Sequence, residues 1–483
     1  MSIKKREFTG IINEPIHVVG IDIDENYEWM NIKLSFSKKG WYSIFLWGPE
    51  QQLRAQVLCI EALKEVTITS DPNQTSFSAT PGLISAGEWK VEISAHTYQQ
   101  APAYSFIVEY GKENREKSNS ETDNWCSAQS KPGLTLDLYK SNQVFNQVAG
   151  WYKGDFHTHT NLSDGKLLPE EGMKQAKKMA LDYFVATDHN ILPTKWVKDE
   201  VLVMPGIEIT SSKGHFNALG LTKWIDWRSS SNDGGMESEE GMNRIIREVK
   251  ETGGLVSINH PLLKPWEWQF QTTPLQDIDT IEIWNDPTYD DNPKATEGAF
   301  VLWDSLLNDG YRIYGIGGSD SHLLPTESYK EGGPPSVIGD PATVVYAENL
   351  SSEAILTGVK NGRAYVTRGP SLDISIKADE EELLLGSQLP EEVNTVMYSI
   401  SYDKVQEDSY VRWIHNGKEI ATSPIKQKGT ITKQFVLDKP YCWLRFEIRN
   451  KDKELLAFGN PIFKGLKEVS LVTWGELMKK AGM

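Results

Sequence analysis

Residues 1 to about 110 alternate apolar and polar positions in short runs. Ile32, Leu34 and Phe36 share one face, as do Trp89, Val91 and Ile93, and again Tyr104, Phe106 and Val108. Period two in β-branched and aromatic residues, interrupted at Gly40, Gly48, Pro49 and Gly87, predicts an antiparallel sandwich. The stretch GKENREKSNSETDN (111–124) is polar and charged, which predicts a solvated linker.

From about residue 150 strands alternate with helices. LDYFVATDHN predicts a buried strand ending at Asp188 and His189. The segment before it, 169–179, reads as a helix with Pro169 in its first turn and Glu170 and Glu171 behind it. Met242, Ile245, Ile246 and Val249 recur at helical spacing, and Gly253 and Gly254 stop that helix before the strand LVSINH. TIEIW (280–284), YRIYGIG (311–317) and ATVVYA (342–347) are further strands, and repeated βα units predict a parallel sheet or barrel. After about residue 371 period two returns. Asn416-Gly417 marks a hairpin between RWIH and KEIA, and Cys442, Leu444, Phe446 and Ile448 share a strand face. The expected organisation is an N-terminal β-sandwich (1–150, linker near 111–124), an α/β unit (151–370) and a C-terminal β-sandwich with a short terminal helix (371–483).

Composition narrows the function. A chain of 483 residues is too long for one ordinary domain, and 39% apolar with 24% charged residues is a soluble globular composition. No run of about 18 apolar residues predicts a membrane span. The start MSIKKREFTGIINEP lacks an apolar h-region, so a cytoplasmic location is expected. Cys59, Cys126 and Cys442 form no CxxC spacing, so neither a disulfide framework nor a thiolate metal site is expected. A formal charge of −17 opposes the coating of polymeric nucleic acid but permits a small anionic substrate. Oligomeric state is not legible.

The chemistry lies in His157, His159, Asp164, His189, Glu208, His215, His260, Asp320 and His322, which include six of the nine histidines. Imidazole mixed with carboxylate suits divalent Zn, Mn or Fe, ions that polarise an oxygen and make hydroxide available near neutral pH. The motifs GDFHTHTNLSDG, ATDH, PGIE, GHFN, INHP and GSDSH fall at or just past predicted strand ends. That is where barrel enzymes gather their working residues. Taken singly, Asp164 could be a turn or cap residue, and His215 or His260 an ordinary loop histidine. Asp155 and Asp188 are expected to orient histidine rings rather than bind metal.

HTHTNLSDG, TDH, GIE, NHP and GSDSH, in that order, resemble the motifs of the PHP (polymerase and histidinol phosphatase) family, and most closely its CehA/McbA-like metallohydrolase branch. PATVVYAENLSSEAILTGVKNGRAYVTRGP resembles the same branch, so the likeness covers about residues 150–370. It implies an α/β fold with a distorted (βα)₇ barrel flanked by the two sandwiches, and two or three divalent ions. It further implies that His157, His159 and Asp320 hold one ion and that Glu208 bridges to a second completed by His215 and His260. Asp164, His189 and His322 hold the third. Glu208, Asp320 and His322 carry the catalytic role.

Such a cluster keeps a charge of about +2 after its carboxylates and a hydroxide are counted, which favours a phosphate. The expected activity is therefore metal-dependent phosphoesterase chemistry on a small molecule, by metal-bound hydroxide. A carboxylester or carbamate hydrolase on the same metals is the alternative, and a non-catalytic binding protein with a metal-held barrel the third reading. Among Lys166, Lys213, Lys264 and Arg368, Arg368 is the preferred phosphate contact. Trp266 and Trp268, after NHP, are the aromatic residues expected to touch substrate, with Trp284 and Trp303 closer to barrel packing.

Overall fold

The computed structural model describes residues 3–61, 63–95, 101–113, 121–128 and 132–483. At the N-terminus two four-stranded antiparallel sheets share one core. One orders its strands Lys4–Ile11, Ala103–Gly111, Trp29–Phe36 and Leu63–Thr69; the other Ile16–Ile23, Gly87–Ala95, Tyr42–Trp47 and Leu53–Cys59. The apolar positions that alternate in the sequence, Ile32, Leu34, Phe36, Trp89, Val91, Ile93, Phe106 and Val108 among them, fill the space between the sheets. Burying alternate side chains on facing sheets is what period two achieves. The polar stretch at 111–124 is only partly a linker. Thr122–Asn124 forms a strand paired with Lys195–Val197, while residues 114–120 lie outside the described residues.

The central sheet carries β1 (Gly150–Asp155), β2 (Tyr183–Ala186), β3 (Leu202–Ser211), β4 (Gly214–Leu219), β5 (Leu255–Ile258), β6 (Thr280–Asn285) and β7 (Tyr314–Gly318) in spatial sequence. β1, β2 and β3 are parallel, β4 is antiparallel to both β3 and β5, and β5, β6 and β7 are parallel again. Helices α1 (Pro169–Lys178), α2 (Glu239–Glu251) and α3 (Asn292–Asp309) follow β1, β4 and β6. Their apolar stripes join the sheet's core, as Met242, Ile245, Ile246 and Val249 of α2 illustrate. The described strands do not form the closed (βα)₇ barrel expected. The path is open at β7, which forms no strand ladder with β1; their flanks meet through an isolated bridge between Thr158 and Ser321 and the Ser319 N–H bond to Asp155. The β3–β4 hairpin takes the place of a βα unit, and no α-helix links β2 to β3 or β5 to β6.

On its other side β1 pairs antiparallel with β8 (Ala342–Ala347), which pairs with β9 (Ala364–Thr367) beyond the helix α4 (Ser352–Lys360). β9 then pairs with Leu455–Gly459, so the same 14-stranded sheet runs on through Cys442–Arg449, Ser409–His415 and Lys418–Ile425. A separate four-stranded sheet (Glu381–Leu383, Ser371–Ala378, Thr395–Asp403, Gly429–Val436) covers this extension and closes a second apolar core. One layer of the expected C-terminal sandwich is thus continuous with the central sheet. Asn416 and Gly417 both have positive φ and make the two-residue hairpin turn. Trp474–Ala481 is the terminal helix, and the three cysteines are buried and not disulfide-bonded. Among the described residues no helix is long and apolar enough to cross a membrane.

Candidate metal centre

All nine residues converge. β1 ends at Asp155, and the chain beyond it carries His157, His159 and Asp164. The Asp155 carboxylate accepts from the backbone N–H of His157 (3.0 Å), Ser319 (3.1 Å) and Gly339 (2.7 Å), tying the first motif to GSDSH. Asp188, just before His189, accepts from the Thr160 N–H (2.8 Å) and the Ser163 hydroxyl (2.7 Å). These two aspartates therefore hold the ligand-bearing backbone and do not touch the rings, unlike the orienting role expected of them. Glu208 and His215 lie inside β3 and β4, not beyond a strand end. Thr210 pairs with His215 across the hairpin, and period two puts Glu208 on the face of Thr210. His260 and Asp320 have φ of 27° and 48°, backbone states uncommon for non-glycine residues and typical of functional loops.

Glu208 is the hub. Its Oε1 lies 3.3 Å from His157 Nε2, 3.2 Å from His215 Nδ1 and 3.5 Å from His260 Nε2; its Oε2 lies 2.6 Å from His189 Nδ1 and 3.5 Å from His159 Nε2. Asp320 Oδ1 lies 3.3 Å from His157 Nε2 and 3.0 Å from His159 Nε2. Asp164 Oδ1 lies 3.2 Å from His322 Nε2 and 3.5 Å from His189 Nε2. Donor atoms gather within 4.8 Å of one another in four sets: His159, Asp164, His189 and His322; His157, His260 and Asp320; His157, His159 and Glu208; and His189, Glu208 and His215. The first of these contains the third-ion trio implied by resemblance and adds His159. His215 groups with His189 and Glu208, and it also faces Glu208 Oε1 alongside His260, the two rings 5.0 Å apart between centroids.

The donor set fits divalent ions. His159 Nδ1 and His260 Nδ1 are buried without a hydrogen-bond partner, and His157 Nε2 and His159 Nε2 face carboxylate oxygens without a well-aligned hydrogen bond, a costly state that coordination would relieve. Burial, with His322 and His189 alongside, pushes the His159 imidazole down to about 3, the neutral form a ligand needs. Burial alone would raise the Glu208 and Asp320 carboxyls, but the histidines around them hold both well below the usual range. Burial likewise opposes the charge on His322, but Asp164 and Asp320 outweigh it and raise the ring to about 10.

Several residues of the centre escape sequence reading. Glu282 Oε1 lies 3.0 Å from His157 Nδ1, and its Oε2 accepts from the His260 N–H (2.9 Å) and Asn285 Nδ2 (3.1 Å). The only signal was a carboxylate in the apolar strand TIEIW. Gly318 leaves room for this contact, since a Cβ there would lie 2.4 Å from His157 Cβ and 2.8 Å from Glu282 Oε1. Thr210 Oγ1 meets His189 Nδ1 at 2.6 Å, and Asn259 donates to Glu208 Oε1 at 2.8 Å.

A cavity of about 540 Å³ opens over the centre, lined by Asp164, His189, His215, His260, Asp320 and His322 and walled by Trp41, Trp266, Tyr289 and Tyr329. Trp41 comes from the N-terminal sandwich. Among the described residues that line the cavity there is no lysine or arginine. Arg368 lies elsewhere, its Nε 3.0 Å from Asp340 Oδ1. Lys166 pairs with Glu327 and Lys213 bonds the Glu237 carbonyl, both at the surface; Lys264 is exposed and outside the lining. Trp266 is on the cavity rim, whereas Trp268 is buried against Phe216, Phe270 and Trp474. Trp284 and Trp303 are core residues.

No family model matches the chain, and no curated protein does. Among solved structures, a two-domain protein from Bacteroides vulgatus, described as containing a predicted PHP-like metal-dependent phosphoesterase, is 19% identical with a TM-score of 0.36. That match covers 67% of this chain and 99% of the other. An amidohydrolase from Chromobacterium violaceum is 14% identical with a TM-score of 0.23, over 36% of this chain and 89% of its own.

Proposed function

We propose that this chain is a metal-dependent hydrolase of phosphate esters. The observation that carries the reading is the convergence of six histidines and three carboxylates, with orphaned ring nitrogens, beneath a cavity that Asp164, His189, His215, His260, Asp320 and His322 line. His157, His159 and Asp320 would hold one ion with Glu208, His215 and His260 a second with Glu208, and Asp164, His189 and His322 a third. Divalent Zn, Mn or Fe bound there would neutralise phosphoryl charge and acidify water. Glu208 has both oxygens shared among five imidazoles, which suits it to join two neighbouring ions. Glu282 fixes the His157 tautomer by accepting from Nδ1, which leaves Nε2 as the donor atom. The aromatic walls would fit a flat, uncharged organic group on the ester. PHP membership, its CehA/McbA-like branch, correspondence of β1–β7 to a distorted (βα)₇ barrel, domain limits near residues 150 and 370 and a cytoplasmic location belong to the same proposal.

A second reading, a carboxylester or carbamate hydrolase on the same centre, draws support from the absence of cationic side chains among the described lining residues. The test is side-by-side assay of nitrophenyl phosphate and a naphthyl ester or carbamate on protein loaded with Mn²⁺ or Zn²⁺. Phosphate hydrolysis is expected, and Glu208→Gln should lower it by at least about a thousandfold while circular dichroism stays native. A phosphate rate at background beside brisk ester cleavage would install the second reading. Undiminished hydrolysis in Glu208→Gln would place the chemistry elsewhere.

A further inference from the structure

The N-terminal sandwich reaches into the centre at three places. The Lys64 ammonium donates to the Asn161 carbonyl, in the loop between His159 and Asp164. The Gln56 side-chain amide pairs with Leu192, accepting from its N–H at 3.2 Å and donating to its carbonyl at 3.1 Å, three residues after His189. Trp41 sets its ring edge-on to that of His189, centroids 5.3 Å apart, and forms a wall of the cavity. The docking is firm. Thr194 donates through its N–H to the Phe77 carbonyl and through its hydroxyl to that of Ala79, and Arg228 forms an ion pair with Glu92 at 2.6 Å. Phe45 and Leu53 of the sandwich belong to the same apolar core as Ile207 and Phe216 of β3 and β4.

From these contacts we infer that the sandwich is a working part of the metal centre and that Lys64 is the positioning residue for the loop bearing Asp164. This rests on the reading of the nine residues as metal ligands. The loop is held from beneath by Asp188, through Thr160 and Ser163, and at Asn161 by the N–H bond to the Leu167 carbonyl. Lys64 supplies its outer support. Asp164 is the most exposed of the nine residues and lies at the far end of that loop, so it depends most on how the loop is held. Burial lowers the Lys64 pKa while Asp188 and Asp164 act against it, as expected of an ammonium that both carboxylates feel. A cation near ligands also repels incoming metal ions. The two effects of removing Lys64 are therefore opposite in sign and can be told apart.

The experiment titrates Mn²⁺ into the full chain by calorimetry, with stoichiometry checked by metal analysis. Lys64→Met should fold as the wild type by circular dichroism yet bind the ion of the Asp164, His189 and His322 set about tenfold more weakly, or lose it. Lys64→Arg, which keeps a donor and a charge, should restore it. Tryptophan emission supplies a second readout: the Mn²⁺-induced change that Trp41→Phe removes should shift to the same higher concentration in Lys64→Met. Unchanged or tighter binding in Lys64→Met would overturn the positioning role and leave the hydrolase reading standing. Wild-type protein that binds no divalent ion would overturn both.

Discussion

At the scale of single residues, the centre depends on side chains that bind no metal. Glu282 is buried in β6, contacts the His157 ring and accepts from the His260 backbone N–H, so one carboxylate steadies two ligands. Partners of this kind are worth roughly 10–100-fold in metal affinity. Glu282→Gln, which keeps the volume and removes the charge, is expected to weaken Mn²⁺ or Zn²⁺ binding by about that factor with the fold intact, as calorimetry would read. Wild-type affinity would mean that His157 is oriented by packing alone. The nine clustered residues stood out in the sequence because histidines and carboxylates recur in short motifs in a fixed order. Glu282 did not, because its partner stands 125 residues away and nothing local distinguishes it from a strand-face carboxylate. Arg368 misled for the same reason, since its partner Asp340 is set by a tertiary turn and not by spacing.

At the scale of elements, regular patterns read well and pairings did not. ATVVYA became β8 at its expected limits, α1 lies where Pro169 and the acidic first turn put it, and α2 lies where the apolar spacing put it. The Asn416-Gly417 hairpin formed because both positions accept positive φ. The antiparallel insertion of β4 escaped because PGIE and GHFN read as two strand ends, whereas Gly214, at φ 125°, lets them be one hairpin. The join between Cys442–Arg449 and α3 was equally hidden. There Glu447 takes Arg445 and Arg449 at 2.6 Å each and Arg412 at 3.2 Å, while Arg445 reaches Asp304 at 3.0 Å and Arg449 reaches Glu297 at 2.7 Å on α3. Burial alone would raise the Glu447 carboxyl, but the three guanidinium groups hold it at about 2. A folded-state value below the unfolded 4.5 means the stabilisation is complete above about pH 4.5 and is lost as pH falls towards 2. Glu447→Gln should therefore cost about 3 kcal/mol near pH 7, the order expected for breaking a buried pair, and progressively less in acid. Urea unfolding at pH 7 and at pH 3 measures it; a cost independent of pH would show that the carboxylate charge is not what binds the sheet to α3.

At the scale of the whole molecule, the metal centre joins segments that are otherwise distant. Its nine residues span positions 157 to 322; Lys64 and Gln56 bond to backbone carbonyls of the segments that carry them, and Trp41 packs on the His189 ring. Without cations the folded chain keeps buried imidazole nitrogens unpaired, a cost that ions remove from the native state alone. Saturating metal should thus stabilise the fold by mass action, by about 2.7 kcal/mol at a hundred times Kd. Because Phe45 and Leu53 of the sandwich pack in the apolar core of β3 and β4, that stabilisation should reach the strands that carry them as well. Heating with and without Mn²⁺ should then raise one cooperative transition, seen alike by circular dichroism and by tryptophan emission. Amide exchange should slow on metal binding in Tyr42–Trp47 and Leu53–Cys59 as much as in β3. A sandwich that melts separately, at a temperature indifferent to the metal, would show that the shared core does not transmit the ions' free energy and that the N-terminal contacts are mere adjacency.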